Sequence, residues 1–84
     1  MNHSGHDDRI IVVAEDDQTL AHFLRRHLDD EGYQAHIVET GHEALRLVAA
    51  LHPDIIVLDV GLPDANGLDI CRQIKNDARS ADIP

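Results

Sequence analysis

An α/β fold built on a parallel sheet is what this chain predicts, and three observations carry that expectation. Short apolar runs, Ile10 to Ala14 and Ile55 to Leu58, read as strands buried on both faces, because successive β-branched residues suit an inner parallel strand. Between the strand-like runs, apolar residues recur at helical spacing. The resulting order is β-α-β-α-β-α, and strands joined by helix-length crossovers run parallel with right-handed connections.

Each element has its own local justification. Residues Met1 to Asp8 are polar and acidic and read as a flexible leader, ahead of a single domain over 9–84. Arg9 to Ala14 is the first strand, and it runs straight into Glu15-Asp16-Asp17. A helix begins at Asp17 or Gln18, with Asp17 placed to cap it. Leu20, Phe23, Leu24 and Leu28 form its apolar stripe, while Arg25, Arg26, Asp29 and Asp30 fall largely on the other side. Gly32 suits its C-terminal stop. Tyr33 to Val38 alternates more polar with apolar residues, as expected of a strand near a sheet edge. A second helix follows Gly41, presents Ala44, Leu45, Val48 and Leu51, and halts before Pro53. The third strand covers Ile55 to Asp59. Val60 to Asn66 is a loop punctuated by Pro63 and Gly67. Leu68 to about Ala78 is a third helix, with Leu68, Cys71 and Ile74 on one face, and Ser80 to Pro84 is a connector.

Composition narrows the function. A chain of 84 residues makes at most one domain, and one that small buries about 60–65% of its unfolded surface. A hydrophobic content of 43% is ordinary for a globular protein. The net charge of −9 disfavours direct contact with nucleic acid or an anionic membrane, and favours cations or a basic partner surface. No apolar run nears the roughly 20 residues that cross a bilayer. The N-terminus lacks the layout of a secretory signal, so the cytoplasm is the expected compartment. Cys71 is the only cysteine, which excludes an internal disulfide, and it reads as a small core residue of the third helix. The 7 histidines are scattered, with only His3 and His6 close together, and no cysteines stand at zinc spacing. Neither GxGxxG nor GxxxxGK[ST] occurs, so the phosphate-cradling turns of nucleotide-binding proteins are missing.

Two strand ends carry the chemistry. Asp59 closes the third strand, at the C-terminal edge where open α/β sheets place their ligands. If the first and third strands are neighbours, they lie about 4.8 Å apart. Asp16 and Asp59 then aim into one small volume, with Glu15 beside them. Carboxylates that close repel one another unless a cation intervenes. Mg²⁺ suits such a site, since it takes one or two carboxylates, waters and a phosphate oxygen. A carbonyl just beyond Asp59 would add a ligand, and Gly61 has no side chain to crowd it. The acids after the first strand have a second explanation, because a helix N-terminus attracts negative charge. It is the stronger account for Asp17. It is weakest for Asp59, since a carboxylate closing an apolar strand needs a partner or an ion.

Glu15-Asp16-Asp17, followed about 40 residues later by Leu58-Asp59-Val60-Gly61-Leu62-Pro63-Asp64-Ala65-Asn66-Gly67-Leu68, closely resembles the receiver domain of bacterial two-component response regulators. The resemblance runs from Arg9 to Pro84 and includes Gly41-His42-Glu43-Ala44-Leu45. It implies a flavodoxin-like doubly wound parallel sheet of order 2-1-3-4-5, incomplete here as 2-1-3 and lacking strands 4 and 5. It implies that Asp59 accepts a phosphoryl group from a histidine kinase or phosphotransfer protein. Asp16, Asp59 and the Gly61 carbonyl would ligate Mg²⁺ directly, and Glu15 would act through a metal-bound water. The chain would then be a signalling module rather than an enzyme, with a C-terminal effector domain as its output. The family's Ser or Thr ending strand four and Lys ending strand five have no counterpart: Lys75 lies along the third helix, and Thr40 follows an outer strand. The expectation is a truncated receiver, impaired as a switch, whose third strand is an open edge that invites self-association. Two other functions fit parts of the pattern. One is a receiver-like interaction module that is not phosphorylated. The other is a metal-dependent phosphohydrolase with an aspartyl nucleophile, which would need an acid two residues on, where this chain has Gly61.

Overall fold

Two strands are built mainly of β-branched apolar residues, and the longer of them takes the centre of the sheet. The computed structural model describes residues 9–59, 61–64, 66–77 and 82–84. It contains β1 (Ile10–Ala14), α1 (Gln18–Asp30), β2 (Gln34–Val38), α2 (Gly41–Leu51), β3 (Ile55–Leu58) and α3 (Gly67–Asn76). The strands form a parallel sheet of order β2-β1-β3, with Ala14 opposite both Val38 and Leu58. Ile11, Val12, Val13 and Ala14 of β1 are all buried. The crossover through α1 steps one way from β1 and the crossover through α2 steps back past it. Right-handed connections therefore place α1 and α2 on opposite faces. In agreement, α1 lies against β2, while α2 lies over β1 and against α3.

The best-filled core is on the α2 face. Val12 and Ala14 meet Ala44 and Leu62 there, and Val48, Ile70 and Ile74 form an adjoining cluster, with Leu58 touching both. Helix ends follow local chemistry. Asp17 caps α1 by accepting from the amides of Thr19 and Leu20, Thr40 caps α2, and Asn66 caps α3. Gly32 ends α1 in the left-handed region at φ 90°, where a glycine carries no steric penalty.

Three expectations need correction. The stripe proposed for α1 holds only in part: Leu24 and Leu28 are half-buried, whereas Leu20 and Phe23 are exposed, Phe23 at 65%, and Ala21 is half-buried in their place. Ala21, Leu24 and Leu28 fall at i, i+3 and i+7, a face displaced around the helix toward the small Ala21. In α3 the buried pair is Ile70 and Ile74, which meet Val48 of α2, whereas Cys71 and Leu68 are exposed. They border a groove of about 230 Å³ lined also by Ile56, Leu58, Ile83 and Pro84. Finally, β3 is covered on one face only. Val57 is 46% exposed because α1 lies over β2 and leaves that side of β3 bare. The outer edge of β3 is partly occupied, since the Ile56 amide donates to the Pro84 carbonyl at 3.0 Å. Lys75 Nζ donates to the Ile83 carbonyl at 2.8 Å, tying the same segment to α3. The leader Met1 to Asp8 and the expected end of α3 at Ala78 lie outside the described residues.

Candidate functional site

Parallel pairing of Ala14 with Leu58 makes Glu15 and Asp59 leave the sheet side by side. The Asp59 amide donates to the Ala14 carbonyl at 3.1 Å, continuing the ladder one residue past β3. On the other flank the Glu15 amide donates to the Val38 carbonyl at 2.9 Å. The backbones beneath both acids are therefore held by the central strand and its neighbours. Glu15, Asp16 and Asp59 each offer a carboxylate oxygen, and these oxygens lie within 4.8 Å of one another. Asp16 is exposed, and Glu15 and Asp59 are half-buried.

Local bonds orient two of the three acids. Glu15 Oε2 accepts from the Asp17 amide at 3.1 Å, and Asp59 Oδ1 accepts from the Gly61 amide at 3.2 Å. Asp17 Oδ1 turns away to the helix end, where it accepts from Thr19 and Leu20. The capping explanation thus accounts for Asp17 and leaves Glu15 and Asp16 facing Asp59. Three like charges in so small a volume repel, and a hard divalent cation relieves that repulsion. An all-oxygen donor set with no thiolate or imidazole fits Mg²⁺ rather than a softer metal. Gly61 lies beside the cluster, but packing does not demand a glycine. A Cβ there would meet Asp59 Oδ1 at 4.0 Å, an ordinary contact.

The loop after Asp59 is anchored at points the sequence did not single out. Leu62 is buried beside Val12, Ala14 and Ala44. Asp64 reaches the N-terminus of α2, where Oδ1 accepts from the Gly41 amide at 2.7 Å and Oδ2 from the His42 amide at 3.1 Å. The His42 imidazole pairs with the same carboxylate through Nδ1. The Gly41 amide above all holds the Asp64 carboxyl below its ordinary value; desolvation opposes it, and the His42 amide and then the His42 imidazole add smaller lowering effects. An acid in a polar loop ordinarily reads as surface, and no local spacing links it to a helix start 23 residues earlier. Lys75 stays with Ile83. Cys71 and the described histidines take no part in the acidic cluster.

Residues 11–84 match the family model of the response regulator receiver domain. The chain is 42% identical over 66 residues to the response regulator MprA of Mycolicibacterium vanbaalenii, a match covering 79% of this chain and 29% of that one. It is 41% identical over 66 residues to MprA of Mycobacterium ulcerans, with 79% and 28% covered. The chain thus spans under a third of the length of these curated relatives. Among solved structures, the non-phosphorylated HemR receiver domain of Leptospira biflexa superposes with a TM-score of 0.83 at 32% identity, over 92% of this chain and 60% of that one. The N-terminal domain of a response regulator receiver protein from Methanoculleus marisnigri gives a TM-score of 0.84 at 28% identity, over 89% and 61%.

Proposed function

The chain belongs to the response regulator receiver family, and on that premise we propose that Asp59 accepts a phosphoryl group from a phosphohistidine donor, either a histidine kinase or a phosphotransfer protein. Receiver domains are signalling modules of two-component systems, and this chain carries three parallel strands of that fold in the order 2-1-3. The observation that carries the assignment is the convergence of Glu15, Asp16 and Asp59 within 4.8 Å at neighbouring strand ends. A carboxylate oxygen of Asp59 attacks phosphorus in line, the bond from phosphorus to the donor imidazole breaks, and the imidazole leaves with the electron pair. The product is an aspartyl phosphate, and its hydrolysis resets the module.

Asp16, Asp59 and the Gly61 carbonyl would hold Mg²⁺, with Glu15 acting through a bound water. When bound, the ion supplies positive charge that offsets the phosphoryl oxygens. The Gly61 amide keeps one Asp59 oxygen engaged, which orients the carboxylate for attack by the other. The chain's one lysine sits at the Ile83 carbonyl rather than at the acids. The relatives are longer than the matched segment, and an effector beyond it would be the output. The proposed compartment is the cytoplasm; among the described residues, no helix is long and apolar enough to cross a membrane.

Acetyl phosphate with Mg²⁺ tests the assignment. One hydroxylamine-labile phosphoryl group is expected on the wild type, lost in Asp59→Ala and strongly reduced in Asp16→Asn. Labelling that survives Asp59→Ala would place the acceptor elsewhere. Steady turnover of a phosphomonoester would point instead to a phosphohydrolase.

A further inference from the structure

We propose that Asp64 is a positioning residue of the acidic site: its carboxylate, clamped across the N-terminus of α2, holds the loop that carries Gly61 against Asp59. The proposal rests on Glu15, Asp16, Asp59 and Gly61 forming a cation site. The first amides of an α-helix have no partner within the helix. In α2 the Glu43 amide is satisfied locally by Thr40 Oγ1 at 3.1 Å. The Gly41 and His42 amides instead reach Asp64, 23 and 22 residues away in sequence, one to each carboxylate oxygen. Two donors on two oxygens fix the plane of the carboxylate, and a bond from an amide to an anion is stronger than a neutral one. The helix dipole adds to the attraction.

The consequence for the site follows from what else holds this loop. Asp59 is tied to β1 through its amide. Leu62 is buried against Ala44, which belongs to α2, the same helix that Asp64 clamps. Pro63, between them, restricts Leu62 to extended backbone. Gly61 thus lies between an anchor on the sheet and a double anchor on α2, and its amide meets Asp59 Oδ1 at 3.2 Å. Without the clamp, the loop would keep the Leu62 contact with α2 but lose both backbone hydrogen bonds to that helix. The His42 side chain is 79% exposed, so its share of the clamp is minor beside that of the two amides.

A plain helix cap would produce the same hydrogen bonds, so the test separates capping from positioning. Thr40→Ala removes another cap from the same helix end without releasing the loop. Asp64→Ala releases it. Asp64→Asn keeps one acceptor, and covers the case in which the alanine variant fails to fold. In the 84-residue chain without metal, exchange of the Gly61 amide is read by NMR. We expect Asp64→Ala to accelerate it about tenfold, Asp64→Asn less, and Thr40→Ala by under about twofold. Mg²⁺ titration by calorimetry should show affinity falling about tenfold in Asp64→Ala and holding within about twofold in Thr40→Ala. A Gly61 exchange rate unchanged in the Asp64 variants, or changed equally by Thr40→Ala, would overturn the clamp. Failure of the wild type to bind Mg²⁺ would overturn the cation site instead, and the Gly61 exchange rates would still decide the clamp.

Discussion

Consecutive acids Glu15, Asp16 and Asp17 have separate fates, and backbone direction separates them. Asp17 is spent on the N-cap of α1, whereas Glu15 and Asp16 face Asp59. A fourth acid, Asp64, gains its importance from partners 22 and 23 residues away. Its folded-state pKa is depressed, led by the Gly41 amide. The stabilisation is fully present above the unfolded-state value near 3.9, and is lost as pH falls through the lower folded-state value. The share of the wild-type stability advantage over Asp64→Asn that comes from this charge should therefore shrink as pH falls below about 4. Urea unfolding at several pH values would measure it. A difference that persists undiminished at pH 2 would mean that the charge of Asp64 contributes nothing. That Asp16 and Asp59 approach one another was legible from the strand ends. Asp64 was not, because no pattern in a single sequence pairs a loop acid with a distant helix start.

At the scale of elements, periodicity located the helices and oriented α2, whose expected Ala44 and Val48 are buried, but it gave only part of the covered face of α1 and α3. Both α1 and α3 sit where expected, yet α1 covers Ala21 with Leu24 and Leu28 in place of Leu20 and Phe23, and α3 covers Ile70 with Ile74 in place of Leu68 and Cys71. The heptad-like stripe of α3 offers Ile70 and Ile74 as readily as Leu68 and Cys71. Val48 of α2 selects the first pair. Ile70→Ala should cost about 2–5 kcal/mol by opening a cavity in that cluster. Phe23→Ala, on the bare side of α1, should change stability by less than about 0.5 kcal/mol. Chemical denaturation distinguishes the two, and equal costs would refute the orientation of one helix. The same rotation exposes Cys71. Its thiol should react with a thiol reagent in the native protein at close to the rate of the unfolded chain, and Cys71→Ser should be nearly neutral in stability. A protected thiol would restore the core position that helical spacing first suggested.

For the molecule as a whole, burial is uneven. The central strand is fully covered, while Phe23, Val57 and Leu68 leave apolar surface on both sides of the sheet. Surfaces of that kind favour association. The outer edge of β3 is blunted by the bond from Ile56 to Pro84, which makes side-chain faces, more than strand pairing, the expected contact. Sedimentation should show a mass that rises with concentration, and Val57→Lys or Leu68→Glu should lower it. A wild-type monomer at every concentration tested would dismiss the idea. Partial burial also predicts modest overall stability, as small domains generally show.

By itself the sequence determined the order of elements, the parallel sheet and the two acidic strand ends, because these depend on local periodicity and on which residues a buried strand admits. Strand order followed once the motifs were recognised. Which faces of α1 and α3 are buried, which strand is best covered and what holds the loop after Asp59 were decided only by tertiary structure. Ala44 and Leu62 share a core cluster, and Asp64 meets Gly41 and His42, only after the crossover through α2 has brought that helix over β1. Such contacts depend on which neighbour reaches a position in space, and a one-dimensional pattern carries no information on that.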